Sequence, residues 1–99
     1  MTFLAELETI IQERITNPQV PSYTHKLVRS GIDRVLRKVG EEAAELIIAS
    51  KNNDKEEILN ESADLLYHMM VMLAAQGLSL SEVTEVLASR HTTPPKVAE

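Results

Sequence analysis

Apolar residues recur every three or four positions along most of this chain, and nowhere do they alternate with polar ones for long. That spacing belongs to helices and not to strands, so the sequence predicts an all-α fold. Leu4, Leu7, Ile10, Ile11 and Ile15 mark a first helix from Thr2 to about Ile15. A short second helix runs from a cap at Ser22-Tyr23-Thr24 to about Ser30. The third covers Gly31 to Ser50. The fourth covers Asp54 to Gln76, with Asp54 or Asn53 as its cap and Glu56 and Glu57 in its first turn. The fifth covers Ser79 to His91 and opens on a capping-box pattern, Ser79-Leu80-Ser81-Glu82. The breaks are equally clear. Pro18 and Pro21 bracket the first loop, Asn52-Asn53-Asp54 is a turn, Gly77 ends the fourth helix, and Thr92-Thr93-Pro94-Pro95 stops the last. Residues 1–91 read as one domain and 92–99 as a loose tail.

The two long helices carry the informative patterns. On a wheel of the third helix with Glu41 at 0°, Ile32, Val35, Leu36, Val39, Ala43, Leu46 and Ile47 cluster between roughly 120° and 240°. Arg34, Lys38, Glu41, Glu42 and Glu45 lie between roughly 0° and 100°, with Ala44 and Ile48 just beyond. On the fourth helix Glu61, Asp64 and His68 all lie within about 40° of Glu57, making one stripe. From Leu65 to Ala75 that helix is apolar nearly all round, the pattern of a helix buried on every side. A chain of 99 residues can hardly enclose it alone. The expected architecture is a bundle of about five helices completed by dimerisation.

Composition narrows the classes. There are no cysteines, which excludes disulfides and zinc–thiolate sites. The start, Met1-Thr2-Phe3-Leu4-Ala5-Glu6, lacks the basic opening and long apolar stretch of a signal peptide. No apolar run reaches the length of a membrane span. A cytoplasmic protein without membrane contact is expected. The net charge is −5, from 15 acids and 10 bases. With Glu41, Glu42, Glu45, Glu61 and Asp64 set aside the two balance, so those five account for the excess. A basic face for nucleic acid is missing, and at 3% aromatic residues the chain offers few stacking platforms for bases.

Those five acids are the candidate chemistry. Residues three apart on a helix project the same way. Glu42 with Glu45, and Glu61 with Asp64, would therefore point four carboxylates into one volume if the two helices pack together. Like charges that close need neutralising, and a hard divalent cation such as Mg²⁺, or Mn²⁺, takes oxygen ligands. The bland alternative is two helices with solvated acids. A di-iron bundle would want His three residues after Glu61, where Asp64 stands. A purely helical interaction module would leave the facing acids without a purpose.

The runs Lys38-Val39-Gly40-Glu41-Glu42-Ala43-Ala44-Glu45 and Asn60-Glu61-Ser62-Ala63-Asp64-Leu65-Leu66-Tyr67-His68 resemble the E-E-x-x-E and E-x-x-D signature of the all-α NTP pyrophosphatase (MazG-like) superfamily. Pro21-Ser22-Tyr23-Thr24, Tyr67-His68 and Arg90-His91 make the phosphoribosyl-ATP pyrophosphatase family the closer match, from Phe3 to His91. The resemblance implies Mg²⁺-dependent hydrolysis of 1-(5-phosphoribosyl)-ATP to 1-(5-phosphoribosyl)-AMP and pyrophosphate, the second step of histidine biosynthesis. A housecleaning NTP or dUTP pyrophosphatase is the alternative within the same chemistry. It implies Glu42, Glu45, Glu61 and Asp64 as catalytic metal ligands, with Glu41 as a further ligand or a partner of Lys38 or Arg34. Lys38, Arg34, Ser22, Tyr23 and Thr24 would hold the phosphoribosyl-nucleotide substrate, with Lys26 and Arg29 as helpers. His68 reads as support behind the site or at a subunit interface, and not as a general base. No cyclohydrolase domain accompanies the signature, so one reaction step is expected. Gly40, costly inside a helix by ~1 kcal/mol relative to Ala, suggests a close approach or a bend.

Overall fold

Local capping explains where each helix begins. In a computed structural model, residues 2–17, 19 and 22–91 are described. They form five helices and no strand: α1 (Phe3–Thr16), α2 (Tyr23–Arg29), α3 (Ile32–Lys51), α4 (Lys55–Ala75) and α5 (Leu80–His91). Thr2, Ser22 and Asp54 each accept a backbone N–H from the first turn of α1, α2 and α4. Ser79 accepts the N–H of Glu82 at 3.3 Å and donates to its carboxylate at 3.2 Å, closing the capping box of α5. Gly31 enters α3 at φ 111°, a conformation that suits glycine alone. The expected loose tail at 92–99 and the prolines of the first loop lie outside the described residues.

α3 and α4 are antiparallel neighbours joined by a tight turn. Asn53 takes φ 59° there, and the Asp54 N–H reaches back to the Ala49 carbonyl at 3.1 Å. The core is small. Ile11 of α1, Leu27 of α2, Val35 of α3 and Met70 and Val71 of α4 are buried together, with Leu7, Ile15, Val28, Leu66 and Tyr67 packed around them. α5 turns away from α4 by 105° and has no buried residue. Its first N–H, that of Leu80, is held by the Glu8 carboxylate of α1. No single helix among the described residues is long and apolar enough to cross a membrane.

The structure departs from the wheel of α3. Val35, Glu42 and Ala49 form its buried edge. The apolar stripe a quarter turn away stays open, with Ile32, Leu36 and Ile47 exposed at 41%, 44% and 64%. The reason is geometric: α4 packs along the acidic edge, and the described residues hold no further helix to lay on the apolar one. The Leu65–Ala75 stretch is likewise only partly enclosed, with His68, Met70 and Val71 buried. The radius of gyration is 16.1 Å, against about 13 Å for a compact chain of this length. Gly40 is exposed, and a Cβ added there would meet nothing within 4 Å, so no close approach occurs within the single chain.

Candidate active site in the groove between α3 and α4

The antiparallel pairing of α3 and α4 sets Glu45 opposite Glu61 and Glu42 opposite His68. The Glu45 and Glu61 side chains approach each other across the groove, where a bond between them would need a shared proton. Burial raises the Glu61 carboxyl above its ordinary 4.5, such a bond to Glu45 adds to it, and the charges of Glu45, Asp64 and Glu57 push the same way. Glu61 Oε1 is enclosed with no hydrogen-bond partner. Beside this pair opens a cavity of about 230 Å³ lined by Glu45, Ile48, Asn52, Asp54, Glu57 and Glu61.

Glu42, one turn from Glu45, is buried, with 6% of its surface exposed. Its Oε1 lies 2.6 Å from His68 Nδ1, but off the axis of the ring N–H, so this oxygen too lacks an aligned donor. Its Oε2 is 3.9 Å from Lys38 Nζ. Lys38 also reaches Glu41 at 3.9 Å, and Arg37 reaches Glu41 at 3.6 Å. Glu41 therefore sits at the outer rim with two cations, apart from the facing acids. Arg37 had no place in the sequence reading; its i,i+4 spacing to Glu41 was the available signal. Arg34 is exposed on the same helix.

The first turn of α2 closes the Glu42 end. Ser22 Oγ accepts the His25 N–H at 3.0 Å, a cap. Tyr23 Oη lies 2.7 Å from His68 Nε2. Thr24, 1% exposed, hydrogen-bonds the Tyr67 hydroxyl. Thr24 is thus turned into the bundle, while Tyr23 keeps half its surface open. Burial holds the Tyr23 phenol above 10.0; the Lys38 charge counters this, and Glu42, Tyr67 and Asp64 add to it.

Of the acids singled out by spacing, the structure brings Glu45, Glu61 and Asp64 into mutual electrostatic range, sets Glu42 one turn along the same groove, and leaves Glu41 outside. Among the described residues no three acidic or histidine side chains are gathered closely enough to hold a metal ion. The chemistry of the donor set nevertheless suits a hard cation: it is all carboxylate, two of its oxygens are enclosed without donors, and burial and the neighbouring acids push one member toward its protonated form.

A family model described as phosphoribosyl-ATP pyrophosphohydrolase matches residues 4–91. The chain belongs to that family. It is 54% identical over 87 residues to the histidine biosynthesis bifunctional protein HisIE of Lactococcus lactis, a match covering 88% of this chain and 41% of the relative. The chain thus spans about two fifths of the length of such bifunctional relatives. It is 53% identical over 88 residues to the phosphoribosyl-ATP pyrophosphatase of Streptococcus gordonii, covering 86% of this chain and 85% of the relative. The corresponding protein of Leptospira biflexa is 42% identical over 92 residues, which are 93% of this chain and the whole of the relative. The groove between α3 and α4 lies inside the matched segment of this family.

Proposed function

We propose that the chain is a divalent-cation-dependent phosphoribosyl-ATP pyrophosphatase that hydrolyses 1-(5-phosphoribosyl)-ATP to 1-(5-phosphoribosyl)-AMP and pyrophosphate in histidine biosynthesis. The names and identities of the full-length relatives support the reaction. The observation that carries the site is the pair of enclosed, donorless carboxylate oxygens, Glu42 Oε1 and Glu61 Oε1, on facing helices. Glu42, Glu45, Glu61 and Asp64 would hold Mg²⁺, or Mn²⁺ in its place. When bound, the cation supplies neutralisation of phosphate charge and activation of water. Lys38, between Glu41 and Glu42 and partly exposed, is placed to grip phosphate as a point charge, and Arg34 and Arg37 to grip it through guanidinium forks. Ser22 and Tyr23 border the same end of the groove. A carboxylate left free by the cation would orient the attacking water.

A homodimer in the cytoplasm belongs to this reading. The exposed stripe of Ile32, Leu36 and Ile47, the half-covered α4 and the extended shape all suit a second copy against this face. Leu36→Glu should release monomers in a sedimentation run where the unchanged chain sediments as a dimer; a monomeric unchanged chain removes the dimer.

The activity is tested by pyrophosphate release from phosphoribosyl-ATP with Mg²⁺, set beside dUTP and the common NTPs. Release from phosphoribosyl-ATP that stops on chelation is expected. Release from dUTP or NTPs with none from phosphoribosyl-ATP would transfer the chain to nucleotide-pool cleaning.

A further inference from the structure

His68 is engaged at both ring nitrogens and by two aromatic rings, more than a core histidine requires. Its Nδ1 lies 3.0 Å from the Asp64 carbonyl and 2.6 Å from Glu42 Oε1. A carbonyl and an ionised carboxylate only accept, so Nδ1 carries the proton. In the neutral ring Nε2 is then bare, and the Tyr23 hydroxyl at 2.7 Å donates to it. Tyr23 and Tyr67 meet the imidazole edge-on, with centroids 5.6 Å and 5.4 Å away and planes at 88°. Tyr67 is itself pinned by Thr24. Two consecutive residues of α2, Tyr23 and Thr24, thus hold two consecutive residues of α4, His68 and Tyr67, through their hydroxyls. The imidazole is thus held at Nδ1 by the Asp64 carbonyl and at Nε2 by the Tyr23 hydroxyl.

We propose that Tyr23 and His68 form a positioning relay that fixes the carboxylate of Glu42, so that α2 sets the orientation of one cation-binding acid of α3. This rests on the cation reading given above. The Tyr23 bond holds the ring by its Nε2 edge, and the opposite Nδ1 edge lies against Glu42 Oε1. Oε1 is held inward and Oε2 is left toward Lys38. Without the hydroxyl the ring keeps only its Asp64 bond, and its Nδ1 edge is free to tilt away from Glu42. Groups that orient a metal ligand from behind it contribute about 10- to 100-fold in metal affinity.

The test is calorimetric titration of Mn²⁺ into the whole chain without nucleotide, with a thermal melt of each cation-free variant. Tyr23→Phe keeps both rings and removes one oxygen atom; it should weaken Mn²⁺ binding about 10-fold with an unchanged melt. Tyr67→Phe should do the reverse, lowering the melt by loss of the Thr24 bond while keeping the Mn²⁺ affinity. In a His68→Asn background there is no Nε2 for Tyr23 to hold, so adding Tyr23→Phe should change nothing further. Should Tyr23→Phe fail to fold, His68→Asn against His68→Gln answers in its place. Asn sets its N–H where Nδ1 stands and should bind Mn²⁺ more tightly than Gln, which sets its N–H where Nε2 stands. Equal affinities for the two overturn the relay. So does a Tyr23→Phe protein with the affinity of the unchanged chain, and if Glu61→Gln abolishes binding in that same series the cation reading stands while the relay falls. An unchanged chain that takes up no Mn²⁺ removes the cation reading and the relay together.

Discussion

The groove between α3 and α4 has two ends, and the chain completes only one of them. At the Glu42 end the carboxylate has Lys38 and His68 beside it, and Tyr23 and Thr24 close the wall behind. At the Glu61 end Glu45, Glu57, Glu61 and Asp64 gather, and no ion pair among the described residues involves any of them. One end has a lysine ammonium 3.9 Å from its carboxylate. The other is left with a carboxyl pushed toward its protonated form, which is a costly way to fold unless a cation arrives from solution.

Four measurements press on that contrast. The largest effect is expected from Glu61→Gln, which should lower Mg²⁺-dependent turnover more than about 100-fold by removing a negative oxygen from the uncompensated end. Near-normal turnover would make the two ends functionally alike. Next, Mg²⁺ or Mn²⁺ should raise the stability of the unchanged chain by about 2.7 kcal/mol at a hundred-fold excess over Kd. That corresponds to roughly 10 °C or more in Tm for a domain of this size. Glu61→Gln should show little of this rise, and equal rises would move the cation elsewhere.

The third concerns pH in the presence of chelator. Glu61 has its folded pKa raised above 4.5, so its ionised form disfavours the fold at neutral pH. As pH falls through the raised value, the folded chain takes up a proton that the unfolded chain does not yet bind. The relative gain is complete below 4.5. Glu61→Gln should therefore melt above the unchanged chain at pH 7.5, and that advantage should shrink toward pH 4.5. A difference that grows on acidification would contradict the raised carboxyl. The smallest effect belongs to Gly40, on the same helix and part of the open stripe with Ile32, Leu36 and Ile47. With nothing within 4 Å of an added Cβ, Gly40→Ala should stabilise an isolated chain by about 0.5–1 kcal/mol. Measured at concentrations where the chain is dimeric, a loss instead would mark the place where a second backbone comes close.

The helices were legible because their signals are local. Ser22, Asp54 and the Ser79–Glu82 box each satisfy N–H groups within one turn, so the sequence places α2, α4 and α5 to within a residue or two. The grouping of Glu42 with Glu45 and of Glu61 with Asp64, each on its own helix, followed from spacing as well, since three- and four-residue steps fix direction on a helix. What could not be read was which side of α3 meets α4. A wheel gives angles around one axis and no information about its neighbour. It drew the eye to the apolar arc, while the structure buries Glu42 and exposes Leu36. The engagement of His68 was hidden for a related reason. Its partners Tyr23 and Glu42 lie 45 and 26 positions away in the chain, and only the meeting of three helices reveals them. Glu41 looked like a fifth member of the acid cluster, and the outward azimuth that gives it to Arg37 and Lys38 separates it.

The turn at Asn52–Asp54 makes this hairpin behave as a ruler. From Glu45 the backbone runs to the end of α3, reverses within a few residues at the left-handed Asn53, and climbs α4 to Glu61. One residue inserted between Lys55 and Asn60 would rotate everything beyond it by about 100° and shift it by about 1.5 Å. Asn60 would then stand where Glu61 does now, and Leu66, Met70 and Val71 would turn out of the core together with the acids. Length changes in this segment are therefore tolerable only where the backbone is already irregular, at the reversal itself.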